Sequence, residues 1–137
     1  MESSKVMLTA HANDISTFTG WSGACVACND KGNCNLTMTA EQTVTATFTL
    51  APKAMITTTG YPSLNRAYTG ATVGGSTTIL ALDTELTENL YLNSGKSIVL
   101  KGGYRADYSG KSGLPTVLKG VLTIGKGSLT VEGLVVR

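Results

Sequence analysis

The chain has 137 residues, a length that suits one ordinary domain or two small ones. Charged residues make up only 15% of it, so Thr, Ser, Asn and Gly must supply the polar surface, and these residues favour strands and turns over helices. Its 11 basic and 9 acidic residues form no basic stripe, which argues against a nucleic-acid binder, and its apolar runs are far too short to insert in a membrane.

The first third of the chain alternates between apolar and polar residues, as half-buried strands do. The alternation covers residues 8–12, 36–39 and 43–50. Between the first two of these predicted strands lie an aromatic-rich turn at residues 18–23 and then a loop with three cysteines. The composition changes around Ala51-Pro52-Lys53, so we place a domain boundary near residue 50 and a linker over residues 51–60.

The rest of the chain is rich in glycine and contains short apolar runs at close intervals. Predicted strands are Thr77–Leu82, Asn89–Leu92, Ser97–Leu100, Thr116–Leu118, Val121–Ile124 and Ser128–Val136. Glycine and asparagine turns separate them, a pattern typical of a β-sandwich, a β-barrel or a β-solenoid. One helical turn is predicted at Ser63–Tyr68, where Ser63 is suited to cap it.

The cysteines and the single histidine allow more than one chemistry. Cys25, Cys28 and Cys34 lie within one loop, and a zinc site would take all three together with His11. Only one Cys-x-x-Cys pair is present and His11 falls in a strand pattern, so we disfavour zinc and expect His11 to be solvated. A disulfide within the loop and unpaired thiols are the other two alternatives.

Residues 18–25, 34–40 and 44–48 together resemble a divergent InlB-type B-repeat, a bacterial surface module. The resemblance covers about residues 6–50 and implies a small β-grasp-like module whose first strand or strands precede Val6 and are missing here. It also implies a disulfide between Cys25 and Cys34, which requires an oxidising compartment. Cys28 would then be free, or paired with a cysteine upstream of the sequence.

From Tyr61 onward the chain resembles the opening of a pectin-lyase-like, right-handed parallel β-helix. The runs that carry the resemblance are residues 61–68, 78–81, 87–92, 97–103, 116–120, 122–124 and 129–136. The resemblance implies a short capping helix followed by stacked strands over residues 61–137. The predicted fold class is therefore all-β, with an incomplete β-grasp-like module followed by the start of a right-handed parallel β-helix.

We assign no catalytic, cofactor-binding or metal-binding residue, and no cofactor. The segments 95–97 and 110–112 both read Gly-Lys-Ser but lack the earlier glycine of a phosphate-binding loop. The acids of the second half follow no calcium-binding spacing, so we expect most of them to be solubilising; they are Asp83, Glu85, Glu88, Asp107 and Glu132. Tyr104 and Tyr108 lie in a polar loop and are the predicted ligand contacts.

These features predict a non-catalytic piece of an exported bacterial protein, attached to the cell surface or secreted. We expect a signal peptide to have been lost upstream, because none is present at residues 1–5. The expected role is adhesion, polysaccharide binding or scaffolding, with a polysaccharide or another surface protein as partner. One alternative is the first part of a β-helical polysaccharide lyase or hydrolase whose active site lies outside the chain, and another is a purely structural spacer.

Overall fold

A computed structural model describes residues 3–29 and 32–137. The chain divides into two compact units, residues 1–50 and residues 51–137. Each unit has its own hydrophobic core.

The first unit consists of two small antiparallel sheets. Its elements are β1 (Ser4–Thr9), β2 (Ser16–Gly23), a 3-10 helix (Val26–Cys28), β3 (Asn33–Met38) and β4 (Val44–Leu50). Strand β1 pairs with β3, and β2 pairs with β4. The core consists of Trp21, Cys25 and Cys34, with smaller apolar side chains packed around them.

The structure differs from the sequence prediction in two places in this unit. Residues 18–23, predicted as a turn, lie in β2, which has a bulge between Phe18 and Gly20. The Phe18 ring contacts the Phe48 ring on β4 at 5.5 Å, a cross-strand contact that single-sequence patterning does not reveal. Strand β1 stops at Thr9, so His11 lies beyond the strand and is exposed.

The second unit contains one helix and ten strands among the described residues. They are β5 (Ala54–Ile56), β6 (Thr59–Tyr61), α1 (Leu64–Gly70), β7 (Ser76–Leu82), β8 (Glu85–Thr87), β9 (Leu90–Leu92), β10 (Lys96–Tyr104), β11 (Thr116–Lys119), β12 (Leu122–Ile124), β13 (Gly127–Glu132) and β14 (Leu134–Val136). Strands β5 and β6 form a hairpin, and β5 also pairs antiparallel with β7. The segment predicted as a linker, residues 51–60, thus supplies strands to this unit.

From β7 onward the strands pair in parallel. Each strand pairs with the third strand after it in the sequence, so that β7 pairs with β10 and β8 with β11. Strands β7, β10 and β13 are neighbours in one sheet, β8, β11 and β14 in a second, and β9 and β12 in a third. We call β7–β9 the first coil, β10–β12 the second coil and β13–β14 the third coil. The prediction of an all-β fold is confirmed.

The core of the second unit follows from this register. Inward side chains of successive coils lie beside one another, as in the rows Ile79–Leu100 and Leu86–Leu118. Helix α1 contacts β5, β6, β7 and β9 and buries Leu64, Ala67 and Tyr68. The hairpin and α1 therefore pack on the first coil.

Two charged side chains fix α1 at its ends. The Glu88 carboxylate accepts hydrogen bonds from the backbone N–H groups of Leu64 (2.9 Å) and Asn65 (3.0 Å). Ser63 Oγ accepts from Arg66 N, as predicted for the cap. At the other end, the buried Lys96 Nζ donates to the carbonyls of residues 68 and 69 at 2.8 and 2.9 Å. These contacts satisfy groups that so short a helix leaves unpaired.

Candidate functional site

The loop at residues 105–115 joins β10 to β11 and is the best candidate for a binding site. It is fixed at its base by Thr116, whose fully buried hydroxyl accepts from Gly103 N at 2.8 Å and donates to the Leu82 carbonyl at 2.6 Å. Gly102 allows the backbone at Gly133 to lie close to it, because a Cβ at residue 102 would be 2.3 Å from the Gly133 carbonyl oxygen. The end of β10 and the start of β11, between which the loop lies, are thus fixed relative to each other.

Within the loop, short-range hydrogen bonds define a compact turn. Arg105 N donates to the Gly110 carbonyl at 3.0 Å, and Tyr108 N donates to the Arg105 carbonyl at 2.9 Å. The Asp107 carboxylate accepts from the backbone N–H (3.1 Å) and the hydroxyl (2.8 Å) of Ser109. These hydrogen bonds lower the pKa of Asp107 from its ordinary value, since they favour the charged form.

The two predicted contact residues lie close together, Tyr104 at the end of β10 and Tyr108 in the loop. The Tyr104 and Tyr108 rings are stacked with centroids 6.1 Å apart and planes 20° apart. The Tyr108 hydroxyl donates to the Pro52 carbonyl at 2.8 Å, and its partial burial raises the pKa of Tyr108. Tyr108 also has a positive φ of 55°, which is uncommon for a bulky residue. Tyr108 therefore anchors the loop, while Tyr104 lies at its edge.

Lys111 and Glu132 adjoin the tyrosine pair. Lys111 Nζ lies 4.8 Å from the centroid of the Tyr104 ring and 3.3 Å from a Glu132 carboxylate oxygen. Both side chains remain substantially exposed. Beside them is a groove of about 330 Å³, lined by Gly102, Gly103, Lys111, Gly113, Leu114, Pro115, Glu132 and Gly133. The site thus has a groove lined by an ammonium group and a carboxylate, with an aromatic ring next to the ammonium group.

Sequence reasoning did not identify Lys111 or Glu132 as parts of this site. Lys111 drew attention only as a phosphate-loop candidate, and Glu132 only as a surface acid. They meet because β13 lies parallel to β10, which brings Glu132 opposite Lys101 and close to the loop. No local sequence signal encodes this pairing.

Three other acids of the second unit have structural side-chain contacts. Glu88 caps α1, and Glu85 forms an ion pair with Lys119 at 3.5 Å. Asp107 holds its own turn through Ser109. In the described part of the chain, no three His, Cys, Asp or Glu side chains gather as a metal site would require.

In the first unit, Cys25 and Cys34 form a disulfide, with Cα atoms 6.0 Å apart. Both cysteines are buried beside Trp21. The bonded sulfurs are not available as the zinc ligands considered above. Cys28 is a free thiol, partly buried in the 3-10 helix.

Comparison with known proteins found a family that the first unit resembles. Residues 2–52 match the model of a family described as "Divergent InlB B-repeat domain". The resemblance predicted for about residues 6–50 is therefore confirmed, and it is consistent with a cell-surface or extracellular bacterial protein. No curated protein and no solved structure matched the chain. Over residues 3–29 and 32–137, no helix has the length and apolarity needed to cross a membrane.

Proposed function

We propose that this is a non-catalytic, surface-attached or secreted protein that binds polysaccharide through the loop at residues 105–115. In this proposal the second unit forms the first coils of a right-handed parallel β-helix, which serves as the scaffold. The parallel pairing of β7 with β10 and of β10 with β13 supports the scaffold. Parallel strands joined through such crossovers are almost always right-handed.

The observation that carries the binding proposal is that Lys111 and Glu132 line the groove and that the Tyr104 ring lies 4.8 Å from Lys111 Nζ. An aromatic ring offers an apolar face to the C–H groups of a sugar, while an ammonium and a carboxylate hydrogen-bond its hydroxyls. The site stands on a loop whose base is fixed by buried hydrogen bonds, as binding loops on rigid scaffolds are. A bacterial surface repeat in the same chain supports an extracellular setting where polysaccharides are encountered.

The contacts of four of the five acids named above support a non-catalytic role. Hydrolysis of a glycosidic bond needs two carboxyl groups facing each other across the bond. Glu88, Asp107 and Glu85 are engaged in a helix cap, a turn and an ion pair. Glu132 forms an ion pair with Lys111, and its partner is therefore a base and not a second acid.

Binding can be tested with a panel of neutral and acidic polysaccharides by affinity electrophoresis and isothermal titration calorimetry. We expect Tyr104→Ala to weaken binding about tenfold, the upper range for loss of one aromatic contact. Tyr91→Ala is the matched control, because Tyr91 is an exposed tyrosine on β9, away from the loop. Equal losses in both variants, or no binding to any member of the panel, would contradict the proposal and favour a structural spacer.

The enzymatic alternative rests on the same parallel pairing, since polysaccharide lyases also use stacked parallel strands. It would place the active site outside this chain. Release of unsaturated or reducing sugars by the 137-residue chain itself would contradict both that alternative and the non-catalytic proposal.

A further inference from the structure

The edge of β7 that faces the hairpin is covered over only part of its length. Strand β5 pairs with β7 at Leu80 and Ala81. The chain then turns back into β6 through the two residues Thr57 and Thr58. In the described part of the chain, no strand pairs with this edge of β7 at residues 76–79. The first half of β7 therefore has an uncovered edge beside the hairpin turn.

A cavity of about 490 Å³ lies along this uncovered edge. Three consecutive residues of β7 line it, namely Ser76, Thr77 and Thr78, although consecutive residues of a strand belong to opposite faces of a sheet. The cavity therefore follows the edge of the strand and not one of the faces. The other lining residues come from the hairpin, from the end of α1 and the segment after it, and from β7; they are Ile56, Thr57, Gly70, Thr72 and Leu80. None of these side chains is charged.

The backbone polar groups of Thr78 and Ser76 face this cavity. Leu82 N donates to the Lys53 carbonyl at 3.0 Å, so the backbone groups of Leu82 point to the hairpin side of β7. Successive residues of a strand direct their N–H and C=O groups to alternate edges, so Leu80, Thr78 and Ser76 point to the same side as Leu82. Leu80 is paired with β5, whereas no strand, turn or loop backbone within the described ranges pairs with Thr78 or Ser76 on this side.

The turn that ends the pairing of β5 is strained. Thr57 has a φ of 54°, a backbone conformation that is unfavourable for a β-branched residue and that hairpin turns usually assign to glycine. Because Thr57 also lines the cavity, the strained residue and the uncovered edge belong to one place in the fold. Backbone strain of this kind is concentrated at ligand sites.

We propose that this cavity binds an extended, uncharged peptide segment of another protein, which adds a short strand beside β7 in continuation of β5. Residues of the peptide opposite Thr78 and Ser76 exchange main-chain hydrogen bonds with them, as in other cases of strand addition. The peptide residue between them lies opposite Thr77 and directs its side chain to the same inner face. There the hydroxyls of Thr72 and Thr77 lie 3.1 Å apart, and Gly70 has no side chain, so a small uncharged residue such as valine or threonine fits.

The test titrates the full, ¹⁵N-labelled chain with the capped pentapeptide Thr-Thr-Val-Thr-Thr and follows the amide signals by NMR. We expect a Kd of about 0.1–1 mM, because only a few main-chain hydrogen bonds form. The signals of residues 76–78 should shift. N-methylation of the two threonines next to the valine removes the donors that face β7 and should abolish binding. N-methylation of the valine itself, whose N–H faces away from β7, is the matched control and should leave binding in place.

Two variants at one position separate backbone from side-chain recognition. Thr78→Pro removes the N–H on the uncovered edge, where proline is tolerated, and should weaken binding at least about tenfold. Thr78→Val keeps the N–H and the shape and should bind within about twofold of the unaltered chain. Tyr104→Ala should not alter peptide binding, since this site is separate from the groove beside Lys111. If Thr78→Pro does not give a folded spectrum, the N-methylated peptides test the same hydrogen bonds on the unaltered chain.

Three results would overturn the proposal. The first is the absence of shifts at residues 76–78 with up to about 5 mM peptide, well above the expected Kd. The second is binding that survives N-methylation next to the valine. The third is binding lost in Thr78→Val but kept in Thr78→Pro, which would assign the cavity to a ligand that hydrogen-bonds the hydroxyls, such as a neutral sugar.

Discussion

Thr116 shows how one buried hydroxyl can hold several turns of the chain together. Its Oγ1 atom lies between Gly103 N and the carbonyl oxygen of Leu82, which belong to different coils. Its backbone N–H donates to the carbonyl of Gly133 in the third coil at 3.0 Å. Thr116 therefore forms hydrogen bonds with all three coils, at the base of the candidate binding loop.

We expect Thr116→Val to lower the free energy of unfolding by about 1–3 kcal/mol, because it leaves the buried Gly103 N–H without its acceptor. Valine has nearly the same shape as threonine, so the change in the free energy of unfolding reports the lost hydrogen bond and not a cavity. Thr123→Val, at an exposed position on β12, is the matched control. Urea unfolding followed by far-UV circular dichroism compares the two, and similar small losses would show that the Thr116 hydroxyl matters little.

At the scale of single elements, the ends of α1 depend on residues distant in sequence. Seven residues of helix are too few to be stable alone. Glu88, 24 positions after Leu64, accepts its N–H, and Lys96 reaches the carbonyls at the other end. The helix is thus stabilised by the coil against which it packs.

Glu88→Gln should lower the free energy of unfolding by about 1–2 kcal/mol. The amide is uncharged and offers one acceptor in place of two, so one of its nitrogen donors meets a helix N–H. Glu85→Gln serves as control, since it removes only an exposed ion pair with Lys119 and should cost at most about 0.5 kcal/mol. The midpoint of thermal unfolding distinguishes them, and equal shifts would argue against the capping role.

The sequence predicted strands where an apolar run is bounded by turn-forming residues. Thr77–Leu82, Ser97–Leu100 and Thr116–Leu118 lie within β7, β10 and β11, and the helical turn after Ser63 is α1. The very short β8 was not predicted, since its single buried residue, Leu86, gives no periodic signal. The run Ser128–Val136 is divided at Gly133, whose φ of 68° turns the chain.

The candidate site was predicted only in its local part. Tyr104 and Tyr108 are near in sequence and lie in one polar segment, at the end of β10 and in the loop that follows it, so composition sufficed to select them. The contribution of Glu132 depends on the pairing of strands about thirty residues apart, and register of that kind is set by packing of the whole stack.

At the scale of the whole molecule, each of the two units is stabilised by a different kind of core. The first has a core of few large side chains closed by a disulfide, whereas the second buries rows of aliphatic residues. Trp21 is the single tryptophan and lies beside the disulfide. Its fluorescence therefore reports on the first unit alone.

Replacing both Cys25 and Cys34 with serine should destabilise the first unit by about 2–3 kcal/mol, because a short loop is no longer closed in the unfolded chain. We expect the unfolding midpoint seen by Trp21 fluorescence to fall, while that of the second unit, followed by circular dichroism, stays in place. Cys28→Ser is the control and should change neither. A joint shift of both transitions would show that the units unfold as one.

The corners between the first and second parallel sheets differ greatly in length from coil to coil. Residues 83 and 84 join β7 to β8, Gly133 alone joins β13 to β14, and residues 105–115 join β10 to β11. After this corner β11 pairs with β8 and β14 without a register shift, and before it β10 and β7 shift register once, between Lys101 and Tyr104. The strands on both sides therefore stay paired although the corner differs in length and composition from coil to coil. For evolution and for protein engineering, this corner is a site where a different binding peptide can be inserted while the sequence of the strands is kept.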